Sequence, residues 1–405
     1  MNTKELAQEC LSCPKPRCQT GCPTGNLIRN WIAECKKENY ESAGRILRDV
    51  NPFPEFTSLL CDHKRQCQGM CIKAIKGNAV AIPQIEYELS KLVGRDLSKA
   101  SSNGMKVALI GAGIANLSAA YFLIKAGFAV EFFEKEDFIG GAIRTGIPDF
   151  RFDKSPLEIV QKDLETMGAI FHFNSPIDTN SSLGSLQQEF DFVVLGIGAS
   201  KNNSVGFEAK GGLVSGLQIL REINIGNGKE KYSKYKSSLV WGGGNVALDC
   251  ARSLIRLGGK VTIVYRRSLK EMPASEVEIK EAMDEGVDVC FLTNVKDLVK
   301  NANDEVTGVK LVKMELGEMD SSGRASCHEI PGSEYLLDCD LLVSAIGQKV
   351  DFSKLANDLT IESGHHTSYK DVYATGYCFL GAKNIASCIA DGRECAREII
   401  ISCSK

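Results

Sequence analysis

The sequence predicts an α/β protein: a helical, cysteine-rich N-terminal module followed by two parallel-sheet domains, the second inserted into the first. Three observations predict it. Eight of the 16 cysteines fall within the first 71 residues, and none lies between Cys71 and Cys250. "KVALIGAGIANLSAAYFLIKAGFAVEFFEKE" reads as strand, glycine turn, helix, strand, and "SLVWGGGNVALDCARSLIRLGGKVTIVYRRS" repeats that grammar further along. Two further strands, in "FDFVVLGIGAS" and "DCDLLVSAIGQ", also end in glycines and lie on either side of the second unit.

Bulk composition bounds the rest. A chain of 405 residues suits two or three domains. Hydrophobic residues make up 43% and charged residues 24%, and the net charge is -3, so no bulk field argues for nucleic acid or membrane. No apolar run approaches the roughly 18–20 residues that span a bilayer. "MNTKELAQEC" lacks a signal-peptide layout, so a cytoplasmic protein is expected. A disulfide framework does not suit that compartment. The scattered cysteines (Cys250, Cys290, Cys327, Cys339, Cys378, Cys388, Cys395, Cys403) read as buried free thiols, and Cys35 as helix core.

Residues 1–100 read as short helices and loops. "NLIRNWIAECKKENYESAGRILRDV" carries Leu27, Ile28, Trp31 and Ile32 at helical spacing, and the polar "VGRDLSKASSNG" suits a linker. The first sheet domain is expected over 105–205 and 340–405, and the inserted one over 206–339, with "GNGKEKYSKYKSS" near one junction. The tail "VYATGYCFLGAKNIASCIADGRECAREIIIS" reads as strand, turn and closing helix, and His365-His366 in "IESGHHTSYK" as an exposed loop.

The glycine turns point to nucleotides. In the first, Gly111, Gly113 and Asn116 occupy the G-x-G-x-x-G positions. The first glycine permits a tight turn, and the second lets backbone approach a pyrophosphate at a helix N-terminus. Asn116 departs from the small residue usual at the third. Glu134 ends the next strand, placed to accept ribose hydroxyls. In the second turn Gly242, Gly243 and Gly244 precede Ala247, which fills the close-packing position normally. Its second strand ends "VYRRS": Tyr265 replaces the acid, and Arg266 and Arg267 suit a 2′-phosphate, hence NADPH. Two such Rossmann-like folds, one interrupting the other, are the plan of flavin–pyridine-nucleotide reductases, with FAD in the first and NADPH in the second.

The cysteines run Cys10-x2-Cys13-x4-Cys18-x3-Cys22-Pro23, then Cys61-x5-Cys67-x3-Cys71. Seven in two blocks are too many for one zinc and nearly match two four-ligand clusters. Ferredoxin-like runs are ligated crosswise, so the two blocks must interleave.

Together with "NPFPEFTSLLC", "CQGMC", "GGAIRTGIPDFRF" and "YRRSLKEMPASE", this pattern resembles the glutamate synthase small-subunit family, which includes the N-terminal half of dihydropyrimidine dehydrogenase. The resemblance implies a double [4Fe–4S] domain. Cys10, Cys13, Cys18 and Cys71 would hold one cluster; Cys22, Cys61, Cys67 and an oxygen from Glu86 the other. It implies a flavin site of Gly113, Ala115, Glu134, Gly141, Arg151 and the turn from Gly376 to Ile385, where Tyr377 replaces the family's Asp. For NADPH it implies Gly244, Asn245, Val246, Ala247, Arg266, Arg267 and Lys270, with Ala345, Ile346 and Gly347.

The expected function is electron input: NADPH to FAD, through two clusters, to a catalytic oxidoreductase subunit or a ferredoxin in a hetero-oligomer. No H-E-x-x-H, P-loop or nucleophile elbow appears, so the substrate chemistry is expected on the partner. Two other readings stand beside it. A reductase of thioredoxin-reductase type needs a redox C-x-x-C, and Cys10–Cys13 is committed to the cluster pattern. A structural subunit that has lost flavin would account for Asn116 and Tyr377.

Overall fold

The computed structural model describes residues 2–199, 201–319, 323–353, 355–356 and 358–403. The chain divides into two compact units. One comprises Met1–Ile143, Phe152–Ala199 and Val350–Lys405; the other Arg144–Arg151 and Ser200–Lys349.

The first unit begins with short helices: Thr3–Gln8, Arg17–Thr20, Ile28–Lys36, Tyr40–Arg48, Pro54–Leu60 and Ile82–Leu92, with a 3-10 turn at Ile72–Ile75. Helix Ile28–Lys36 turns Ile28, Trp31, Ile32 and Cys35 inward, while Leu27 stays outside at 40% exposure. Those side chains pack with Leu47, Ile85 and Leu89, and Trp31 Nε1 donates to Asn26 Oδ1 at 3.0 Å. The polar stretch after this core is not loose. Arg95 in it is nearly buried, bonded to Asp163 at 2.7 Å and paired with Glu55.

The sheet of this unit is parallel. Its order is Val372–Ala374, Phe192–Leu195, Lys106–Ile110, Ala129–Phe133, Ile170–His172. Central strands are continuously apolar because both faces are covered: Val107 to Ile110 and Phe192 to Leu195 are buried throughout. Helices Ile114–Lys125 and Ile385–Ser402 pack against each other.

The second unit repeats the plan, with parallel order Leu213–Ser215, Leu341–Ser344, Ser237–Trp241, Lys260–Val264, Asp288–Cys290. Strand Leu341–Ser344 thus lies here, whereas a boundary at 340 puts it with the first domain. Pairing on both edges, with Leu213–Ser215 and Ser237–Trp241, fixes it. The unit also carries an antiparallel sheet of Thr293–Lys300, Val306–Met319, Ala325–Glu329 and Tyr335–Asp338. No helix among the described residues is long and apolar enough to cross a membrane.

Candidate functional site

Cys10, Cys13, Cys18 and Cys71 line one hollow, walled by Ile28, Ile32, Val80 and Ile82. Burial pushes the Cys18 thiol up to about 11, with Cys10 and Cys71 adding repulsion. Four thiols gathered at one apolar hollow are the donor set an iron–sulfur cluster uses. Three interactions shape the loop: Arg29 donates to the Cys13 carbonyl at 3.3 Å, and Lys36 to the Cys10 carbonyl at 2.6 Å and Ser12 Oγ at 3.1 Å.

Cys22, Cys61, Cys67 and Glu86 form a second group. Burial raises each thiol's pKa, and the Glu86 carboxylate raises all three further. Glu86 is buried on helix Ile82–Leu92, accepting from Thr57 Oγ1 at 2.7 Å and Asn51 Nδ2 at 3.2 Å. Burial still pushes its carboxyl up to about 7, and a cation beside it would restore the charged carboxylate. The backbone amide of Ala386, in the first turn of helix Ile385–Ser402, partly offsets the rise at Cys61. Among the described residues no three His, Cys, Asp or Glu side chains converge on a single metal ion. Cluster ligands stand wider apart, each on its own iron.

The first glycine turn is braced by the residues the sequence pointed to. Gly111 takes φ +89°, and a Cβ there would meet the Gly196 carbonyl at 2.9 Å. Glu134 accepts from Ala112 N at 2.6 Å and Glu136 N at 3.0 Å, so its carboxylate shapes the turn. Gly141 lies against Gly113, where its Cβ would be 3.3 Å from the Cα. Asn116 is fully buried and donates to the Ile110 and Gly111 carbonyls at 3.0 and 2.8 Å. It fits because Gly196 makes room: a Cβ on Gly196 would stand 2.4 Å from the Asn116 side chain. Helix Ile114–Lys125 starts at Gly113 with no side-chain cap and Ala115 in its first turn, an N-terminus of the kind that accepts an anion.

The C-terminal turn meets the same helix. Gly376, at φ +67°, would carry a Cβ 2.7 Å from Ala115 Cβ. Tyr377 donates its hydroxyl to the Lys383 carbonyl, closing the turn that leads to Ile385, and burial lifts its phenol to about 12. Sequence reasoning missed Asp391. Its buried carboxylate accepts Gly376 N at 2.6 Å and Thr375 Oγ1 at 2.7 Å. An acid from the closing helix therefore orients the turn where Tyr377 replaces one.

His365 is not in an exposed loop. It is buried, 3.1 Å from Asp391 Oδ1 through Nε2 and 3.0 Å from Glu398 Oε1 through Nδ1, with Phe379 against its ring. Burial alone would lower its pKa; the Asp391 and Glu398 carboxylates beside it outweigh that and raise it above the usual 6.5. A raised folded-state pKa stabilises below the unfolded value, and that stabilisation is lost as pH rises through the folded one. Thermal melts should show the wild type losing its advantage over His365→Gln as pH rises above about 6.5. A pH-independent gap between the two would contradict the charged state.

In the second glycine turn, Gly242 would carry a Cβ 2.3 Å from the Ala345 carbonyl, so the turn and the "SAIG" segment touch. Ala345 N donates to the Trp241 carbonyl at 2.8 Å, and Asn203 holds the Ile346 carbonyl at 3.3 Å beside Gly347. Helix Asn245–Arg256 starts at Gly244 without a side-chain cap, with Ala247 buried and Val246 packed beside Gly216. Tyr265 lies on Gly243, 2.5 Å from where its Cβ would be, and donates to the Glu271 carbonyl at 2.7 Å.

The two arginines after Tyr265 diverge, as successive residues at a strand end do. Arg266 is exposed, whereas Arg267 is buried and donates Nε to the Ala325 carbonyl at 2.6 Å. Arg324, absent from the sequence reading, joins them: all three cations act on the Tyr265 phenol. Lys270 is exposed on a short 3-10 turn. Arg151 belongs to the second unit, where it grips Asp249 at 2.7 and 2.8 Å and pairs with Glu278.

A cysteine module fitted to [4Fe–4S] clusters, joined to two glycine-turn nucleotide folds, defines an NADPH-dependent iron–sulfur flavoprotein oxidoreductase. Residues 1–93 match the family described as dihydropyrimidine dehydrogenase domain II, 4Fe-4S cluster. Residues 105–392 match the pyridine nucleotide-disulphide oxidoreductases. The glutamate synthase (NADPH) small chain of Escherichia coli is 30% identical, over 98% of this chain and 90% of that one. The chain belongs to the pyridine nucleotide-disulphide oxidoreductase family and is a relative of the glutamate synthase small chain. The NADP(+)-dependent formate dehydrogenase subunit beta of Moorella thermoacetica is 32% identical over 94% of this chain, which spans 59% of that relative. The fold matches FprA of Mycobacterium tuberculosis, solved with NADPH, at a TM-score of 0.65 and 19% identity over 74% of this chain and 84% of that one.

Proposed function

We propose that this chain is the electron-input subunit of a larger oxidoreductase. NADPH supplies hydride to FAD, and the clusters hand the electrons on singly to a partner. Cys10, Cys13, Cys18 and Cys71 hold one cluster; Cys22, Cys61, Cys67 and Glu86 hold the other. Gly111, Gly113 and Asn116 shape the flavin seat, and Asp391 fixes the Gly376 turn facing it. Gly242 to Ala247 and the Ala345–Gly347 segment seat NADPH, with Arg266 and Arg324 at its 2′-phosphate. The partner is a catalytic subunit of glutamate synthase or dihydropyrimidine dehydrogenase type, or a ferredoxin.

One observation carries this reading. The Cys61 thiol feels the backbone amide of Ala386, at the start of the helix that follows the flavin turn. A proposed cluster ligand thus lies within electrostatic reach of the backbone that follows the flavin turn. Anaerobic purification should yield about eight irons and one FAD per chain, with NADPH bleaching the flavin band. Clusters with no extractable FAD would instead make the chain a structural subunit.

The nucleotide assignment has its own test. Arg266→Ala should raise KM for NADPH by roughly 10-fold or more and leave KM for NADH within about twofold, since a charge-assisted phosphate contact is lost. Equal effects on both cofactors would remove Arg266 from the 2′-phosphate site.

A further inference from the structure

The two cysteine-bearing stretches carry a charge pattern that ligation does not require. Residues 10–33 contain Lys15, Arg17 and Arg29 and no acid; residues 63–85 contain Lys64, Arg65, Lys73 and Lys76 and no acid. The fold brings them together. Cys13, Arg17 and Arg29 from the first line one hollow with Cys71, Ile72 and Lys73 from the second. Gly21 packs against Met70, its Cβ position 2.7 Å from Met70 Cγ. Of these seven cations, Lys73 is paired with Glu9 and Arg65 with Asp62, both acids from just outside the two stretches.

Apolar side chains stand exposed among the cations. Leu11, between Cys10 and Cys13, is 63% exposed; Ile72 and Ile75, on the turn after Cys71, are 38% and 67% exposed. A cluster's negative charge accounts for cations whose donors face inward, such as Arg29 on the Cys13 carbonyl. It does not account for Lys15 and Lys76, which are exposed, or for bare isoleucine and leucine beside them. Apolar residues ringed by one sign of charge are the pattern of a transient protein contact.

We infer that this face, centred on Leu11, Ile72 and Ile75 over the Cys10/Cys13/Cys18/Cys71 hollow, is where a separate redox protein docks, and that the docking partner presents carboxylates around an apolar centre. The inference rests on the electron-input reading and adds the exit face and the partner's chemistry. Each encounter moves one electron from a reduced [4Fe–4S] cluster to the partner's oxidised centre, with no bond made or broken. The two electrons of one NADPH leave in two encounters. Electrostatic steering makes such an encounter fast and salt-sensitive, and a small apolar centre lets it dissociate.

The test uses the full chain and two probe proteins: an acidic [2Fe–2S] ferredoxin and basic cytochrome c. Binding is read directly by surface resonance, without turnover, in about 50 mM and about 300 mM salt. Lys15→Glu/Lys76→Glu should weaken ferredoxin binding about tenfold or more at low salt, and Ile75→Ser severalfold at both. Circular dichroism and NADPH-driven reduction of a small neutral dye should match the wild type. Ferredoxin binding that ignores the charge reversal, or is absent, overturns the proposal, as does preferential binding of cytochrome c. A change in self-association of the double variant overturns it too, by assigning the face to a second copy. Failure of the wild type to reduce the dye would sink the electron-input reading instead, and the binding data would stand apart from it.

Discussion

Cys22→Ala and Cys10→Ala should abolish different electron-paramagnetic-resonance signals. Cys10 lines the hollow with Cys13, Cys18 and Cys71, whereas Cys22 is coupled to Glu86 with Cys61 and Cys67. Helix Arg17–Thr20 and Gly21 stand between the two residues, and Cys22 is not among those lining the first hollow. Each variant should lose about half the iron and keep the other cluster. Electron delivery to a protein acceptor should fall by about 100-fold or more in both, because a link in series is gone. In Cys22→Ala, NADPH should still bleach the flavin, since no nucleotide contact is touched. Anaerobic iron analysis with low-temperature spectra of the reduced protein decides the matter. Loss of the same signal by both variants would mean that the two groups are not separate clusters.

Glu86 tests the same partition more finely. Its carboxyl is buried, held by Thr57 and Asn51, and raised to about 7. Glu86→Gln keeps an oxygen donor and should keep the cluster with a shifted potential. Glu86→Ala removes the donor and should lose the Cys22 signal alone.

How far the sequence disclosed this architecture depends on the range of each signal. Cysteine spacing and glycine turns are local, so both cysteine groups and both nucleotide folds could be read directly. Glu86 has no local signature; only resemblance pointed to it. Asn116 looked like a defect because its compensation, Gly196, lies 80 positions on, just past another strand. Asp391 and Arg324 were invisible for the same reason: each reaches its turn through the fold. Residues 144–151 fall inside the expected first domain, yet they go with the second unit because Arg151 is tied to Asp249 and Glu278 and Phe150 sits under Arg252 and Arg256. The pair His365-His366 looked polar and therefore exposed; two carboxylates on the closing helix bury the first.

Gly392→Ala should be the most disruptive single methyl group in the flavin half of the molecule. A Cβ at 392 would lie 2.0 Å from the Ala115 carbonyl oxygen and 3.1 Å from Ser118 Cβ. The first is backbone and cannot rotate away. Relief requires helix Ile385–Ser402 to lift from helix Ile114–Lys125, which breaks the 2.7 Å bond from Ser118 Oγ to the Ile389 carbonyl. Overpacking of this kind costs about 3 kcal/mol, and Tm should fall by roughly 5–10 °C. The displacement also reaches the site. Ala115 sits in the first turn after Gly113, beneath Gly376, and Asp391 precedes Gly392 on the lifted helix. Both walls of the proposed flavin seat then move together, so FAD should be released on gel filtration while the iron content falls less. Ser118→Ala separates the two effects: it removes the bond without the clash and should cost about 1 kcal/mol with FAD retained. A Gly392→Ala protein that keeps its FAD and melts within about 1 °C of the wild type would show that the two helices have slack between them.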